Sequence, residues 1–136
     1  NLSDGQFKRN VQEDVPGLAF IKLLRPVTYQ LDIDELNRSL GAEEYSADSP
    51  WQREYEKQKA DMIAYQRTGF IAQEVEAAAE SIGYDFSGID RPQNESDHYG
   101  LRYAEFVVPL VKAMQEQQEM IERLQVEIEE MRRLVR

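Results

Sequence analysis

The sequence contains no cysteine and only one histidine. The first absence excludes disulfides and cysteine metal sites and leaves the redox compartment open. The second leaves His98, far along the chain in a turn-rich region, as the sole imidazole for any Ser-His-Asp arrangement. Long apolar runs are missing too: none approaches the ~20 residues of a membrane span, and no signal peptide is visible. Bases are scarce in the middle. Residues 32–100 hold 16 acids against 6 bases while the flanks are nearly balanced, within a net charge of −10. An acidic middle without a basic stripe argues against nucleic acid as the main partner and fits a solvated surface that keeps an assembly soluble. What is present, 41% hydrophobic and 31% charged residues in 136, allows one folded domain with a modest core. The chain begins with asparagine, so it is expected to be a piece of a longer protein.

Residues 1–10 are polar and lack periodicity, which reads as an extended arm. Val15-Pro16-Gly17 signals a turn, and Leu18, Ile21 and Leu24 follow at helical spacing. Arg25-Pro26 ends that helix, because a residue before proline disfavours the α region. Val27 to Leu31 reads as a strand. Asp34 is placed to cap a short helix ending at Gly41, and a polar stretch runs on through Asp48. Ser49-Pro50-Trp51-Gln52 is a capping-box start, with proline at the first helical position; Trp51, Tyr55, Met62 and Tyr65 give the helix a thin apolar stripe. Thr68 to Ile71 is a second strand, expected to pair with 27–31 across a helical excursion over about 32–67. Ile71, Val75, Ala78 and Ile82 share a helix face, with Gly83 at the C′ position. Two further strands are expected at Tyr84–Ile89 and Tyr99–Tyr103.

The clearest pattern lies in the last third. Val107, Leu110, Met114, Gln117, Ile121, Leu124, Ile128, Met131 and Val135 alternate at spacings of three and four, a heptad seam with Gln117 at a d position. A lone helix would leave so narrow a stripe wet, so the seam predicts partner helices along roughly 43 Å. Glu127 and Arg132 occupy g and the following e′ position, the spacing of an interchain pair in a parallel coil. β-Branched residues at a with Leu124 at d lean towards two strands, a preference that Met114, Met131 and Gln117 blur. The competing expectation is a helix that folds back on its own domain. The elements predict an α+β fold: a small β-sheet with flanking helices, a helical protrusion, and a C-terminal helix feeding a parallel bundle. We divide the chain into an α+β part at 1–103 and a C-terminal trimerisation helix at 104–136.

Four motifs occur in order: Ser3-Asp4-Gly5-Gln6-Phe7-Lys8, Leu24-Arg25-Pro26-Val27-Thr28-Tyr29, Gly69-Phe70-Ile71-Ala72-Gln73-Glu74-Val75-Glu76, and Tyr103 opening a long helix. Together they resemble the peptidase S74 family, the intramolecular chaperone domains that end endosialidase tail spikes and related fibres. The resemblance implies a homotrimer that assists folding of the upstream fibre or spike segment of the same chain and is then released by autoproteolysis. It implies a virion tail fibre or spike, or a bacterial cell surface, as the location of a product made in the bacterial cytoplasm. Ser3 matches the family's nucleophile and Lys8 its general base. Gln6 departs from the pattern, which usually has arginine there. The alternative is a structural trimerisation tail that never cleaves; a further rival is a module whose coil binds a different protein.

A serine hydroxyl is a weak nucleophile until a base takes its proton, and lysine replaces histidine only when driven neutral. Five residues from Ser3 to Lys8 would put the two side chains on opposite faces of a strand. A turn must bring them together, and Gly5 is placed to supply it. Other constellations carry less. Glu74 and Glu76 read as solvated acids, and the spacing of Asp85, Asp90, Glu95, Asp97 and His98 fits no standard metal loop. No cofactor is expected. Tyr29, Tyr84, Tyr99 and Tyr103 read as core or interface residues, and Trp51 as a packing residue.

Overall fold

The computed structural model describes residues 2–42 and 49–136. The polar stretch expected through Asp48 therefore falls, over 43–48, outside the described residues. In chain order the elements are α1 (Leu18–Ile21), β1 (Val27–Tyr29), α2 (Ile33–Ser39), α3 (Pro50–Ala64), β2 (Arg67–Gly69), α4 (Ala72–Ser81), β3 (Ile89–Asp90), β4 (Gly100–Leu101) and α5 (Val107–Val135). Single 3-10 turns occupy Gly5–Phe7 and Tyr103–Phe106. The fold is α+β, with two small antiparallel sheets and a long C-terminal helix. No described helix is long and apolar enough to cross a membrane.

The chain divides into two compact units. The first comprises residues 1–23, 78–88 and 102–136. Its core is aromatic: the ring of Phe20 lies 5.2 Å from Tyr84, 5.0 Å from Phe86 and 6.5 Å from Phe106. Phe20, Phe86 and Phe106 are buried. The expected strand at Tyr84–Ile89 is therefore corrected. Tyr84 and Phe86 alternate as strand residues do, but both turn into this cluster, and only Ile89 goes on to pair. Gly88 permits the arrangement, since a Cβ there would collide with the edge of the Phe86 ring.

α1 packs against α5 in the same unit, and Gly17 allows it. A Cβ at Gly17 would lie 2.7 Å from Ala113 N and 2.9 Å from Lys112 C, both backbone atoms of α5. The freed space lets Leu18 N–H donate to Glu116 Oε1 at 3.1 Å, which satisfies an otherwise unpaired N-terminal amide. α1 ends at Ile21, shorter than the helix expected to reach Leu24. On α5, Pro109 and Ala113 face this packing and are buried. Proline is tolerated there because the first-turn N–H groups have no intrahelical acceptor.

The second unit comprises residues 24–77 and 89–101. β1 and β2 pair as expected, but over Val27–Tyr29 and Arg67–Gly69 rather than 27–31 and 68–71; they are antiparallel, in the register Val27↔Gly69, Thr28↔Thr68 and Tyr29↔Arg67. Asp32, not Asp34, caps α2, its Oδ1 accepting from Glu35 N at 2.9 Å. Asp34 is left for an ion pair with Lys59 of α3. Ser49 Oγ caps α3 by accepting from Gln52 N at 3.1 Å, as the capping motif predicts. β3 and β4 pair through Ile89↔Leu101 and Asp90↔Gly100. The strand expected at Tyr99–Tyr103 is thus confined to two residues, because Tyr103 already begins the turn leading to α5.

α4 runs from the second unit into the first and ends before Gly83, whose φ of +67° is the left-handed conformation glycine adopts freely. Its buried positions are Val75, Ala78 and Ala79, whereas Ile71 and Ile82 are exposed. Small alanines set the buried face, and the bulkier isoleucines lie at its margins.

Candidate functional site

The N-terminal arm has no buried side chain, since residues 2–14 are all exposed. Its order is local. Asp4 caps the 3-10 turn by accepting from Gln6 N at 3.0 Å through Oδ1, and Gln6 Nε2 donates to Asp4 Oδ2 at 2.8 Å. Phe7 N–H and Lys8 N–H close the turn on Asp4 O and Gly5 O, at 3.2 and 3.1 Å. This turn brings the Lys8 ammonium back to Ser3, with Nζ donating to Oγ at 2.9 Å. Gly5 takes part without a positive φ, and a Cβ there would meet nothing within 4 Å, so glycine's special freedom is not what makes the turn. The Asp4 side chain does that work. Asp4, Gln6 and Arg9 are the arm residues whose roles the spacing of Ser3 and Lys8 does not reveal; aspartate directly before Gly5 is the local signal for the first of them.

Hydroxyl and amine at hydrogen-bond distance form the minimal arrangement for nucleophilic attack assisted by a base. In this bond lysine donates. Proton abstraction requires the reverse direction, from Ser3 Oγ–H to a neutral Nζ. His98 serves elsewhere, its Nε2 lying 3.4 Å from Ser39 Oγ. That hydroxyl donates to Leu36 O at 2.8 Å and makes no nucleophile.

The heptad residues share the opposite character: large, wet and, Gln117 apart, apolar. Val107, Leu110, Met114, Gln117, Ile121, Leu124, Ile128, Met131 and Val135 are all exposed in the single chain. From Gln117 to Arg136 every α5 residue is exposed, so the distal half of the helix does not fold back on its own domain. The seam is also wider than a strict a/d stripe. Counting from Val107 at a, the g positions are Ala113, Met120, Glu127 and Leu134; Ala113 is buried against α1 and Glu127 is acidic, so Met120 and Leu134 are what widen the exposed face. Arg132 pairs with Glu129 of its own helix at 3.9 Å.

The acidic candidates act as anchors. Glu74 receives Arg25 through two bonds, from Nη2 at 2.6 Å and Nε at 3.2 Å. Glu76 pairs with Arg91; hydrogen bonds from Tyr99 and then from Arg91 hold its carboxyl below the usual range. Asp97 is likewise lowered by the backbone N–H groups of Gln93 and His98. Among the described residues, no three His, Asp or Glu side chains converge to hold a metal ion. Of the aromatic candidates, Tyr84 joins the core, and burial pushes its phenol pKa up. Trp51 is 80% exposed and packs on nothing extensive.

The model of the peptidase S74 family, described as the chaperone of endosialidase, matches residues 3–84. The match opens on Ser3, spans the arm, the β1–β2 sheet and α4, and stops at Tyr84. No curated protein and no solved structure matches the chain.

Proposed function

The chain belongs to the peptidase S74 family, the chaperones of endosialidase, and from this we propose that it is a C-terminal intramolecular chaperone that trimerises through α5 and is released by Ser3–Lys8 autoproteolysis. The observation that carries the assembly is the exposed heptad face of a 29-residue helix. A surface of that kind is unstable in water and is satisfied by equivalent helices of further copies. Met120 and Leu134, exposed at g beside the a and d residues, broaden the face and support three strands over two. Joining three chains at one end raises the effective concentration of the upstream segments and aligns their register. That matters most for interwound β-structure, whose non-local pairing is slow and prone to misassembly. The upstream fibre or spike segment is the client, and the virion tail or a bacterial surface is where the product resides.

In the release step, neutral Lys8 accepts the Ser3 hydroxyl proton while Oγ attacks the scissile carbonyl carbon. The amide nitrogen leaves with a proton, and water then hydrolyses the resulting ester. Both side chains are exposed in the single chain. Burial of lysine on assembly would favour the neutral base, so cleavage would report completed trimerisation. Intact-mass measurement of a longer chain tests this: the wild type separates into two pieces, whereas Ser3→Ala and Lys8→Ala stay whole. Glutamine at position 6 favours the second reading, a trimerisation tail that never cleaves, for which all three chains would stay whole.

A further inference from the structure

The Gln6 side-chain amide is committed to Asp4. The guanidinium in this arm belongs to Arg9. Its Nη1 donates to Gln6 O and to Lys8 O, each at 3.0 Å. Lys8 is thereby held on both sides of its Cα: its N–H donates to Gly5 O, and its carbonyl accepts from Arg9. Asn10 then takes a left-handed φ of 53°, which asparagine tolerates, and turns the chain away directly after the clasp.

We propose that Arg9 is a positioning residue for the dyad, holding the base aimed at the nucleophile by clasping the carbonyls of Gln6 and Lys8. This rests on the reading of Ser3 and Lys8 as a self-cleaving pair. The arm is exposed throughout, so packing does not orient Lys8. A flexible four-carbon stem loses considerable entropy when it is confined to one target. Fixing the backbone on both sides of Lys8 sets its Cα–Cβ direction and removes part of that cost before the reaction. Bonds from a charged guanidinium are the stronger class for the purpose, and alignment of the reacting groups is where a large share of such rate enhancements originates.

The test is the rate of self-cleavage in a longer chain, wild type beside Arg9→Ala, Arg9→Lys and Ser3→Ala. Arg9→Ala should slow cleavage about ten-fold, ~1.4 kcal/mol on the barrier, without changing the assembled mass or the melting temperature. Arg9→Lys should fall between the two, and methylguanidinium in the buffer should restore part of the Arg9→Ala rate. Arg9→Ala cutting at the wild-type rate, with Ser3→Ala inert, would overturn the role of Arg9 alone. A slowed Arg9→Ala that melts earlier and is not rescued would overturn it as well, by exposing a folding role. A Ser3→Ala chain that is still cut, or a wild type never cut, would overturn the dyad and this inference together.

Discussion

Replacing Ile121 and Ile128 together by aspartate strikes the assembly where it is expected to be driest. Both occupy a positions and are 49% and 44% exposed in the single chain. Full burial of an isoleucine side chain is worth ~1.5–3 kcal/mol, and about half of it remains to be gained on assembly, ~1 kcal/mol per residue. Two positions in three chains amount to ~6 kcal/mol, and aspartates that must be dehydrated at the seam add to the loss. At ~1.4 kcal/mol per factor of ten, the trimerisation constant falls by at least ~10⁴. Sedimentation velocity at micromolar concentration should show the variant as single chains, with the circular dichroism of a folded α+β domain retained. Introduced into a longer chain, the same pair should suppress self-cleavage, because Lys8 stays exposed. A double variant that sediments like the wild type would refute the seam; one that is monomeric yet cut at the normal rate would refute the gating of cleavage by assembly.

Two further outcomes follow from the packing and the ion pairs. Gly17→Ala forces a methyl group against the α5 backbone at Lys112 and Ala113, an overpacking cost of ~1–3 kcal/mol; the thermal midpoint should drop by several degrees, and an unchanged midpoint would show that α1 does not dock as described. Glu76 has a folded pKa lowered by Tyr99 and Arg91, so its contribution is present above its unfolded value of 4.5 and is lost as pH falls through the lower folded value. Thermal melts between pH 7 and pH 3 should lose stability at the acid end, and Glu76→Gln should flatten that limb; an equally steep acid limb in Glu76→Gln would show that other groups control it.

Legibility in the sequence followed the range of the interactions. The α5 helix, the Ser49 cap with Pro50 and the Gly83 terminus rest on signals within a few residues, and the structure reproduces them. The Ser3–Lys8 contact is expected from the family resemblance; its physical cause is the local Asp4 cap, where the sequence reading credits Gly5. The expected strand at Tyr84–Ile89 failed for a non-local reason. Tyr84 and Phe86 are drawn to Phe20 and Phe106, which stand 64 and 20 positions from Tyr84 and Phe86 in the chain. No local pattern separates a strand alternation from two rings entering such a cluster. Asp32 and Asp34 are equally good caps by residue type; Lys59, 25 positions beyond Asp34, engages the second of them.

The number of chains that α5 joins decides most of this account. Sedimentation equilibrium of the 136-residue domain measures it without reference to shape. Three chains of 15.8 kDa should appear as one species of about 47 kDa. A species that remained at 15.8 kDa across the micromolar range would contradict the account, because the exposed heptad face would then have no partner to align.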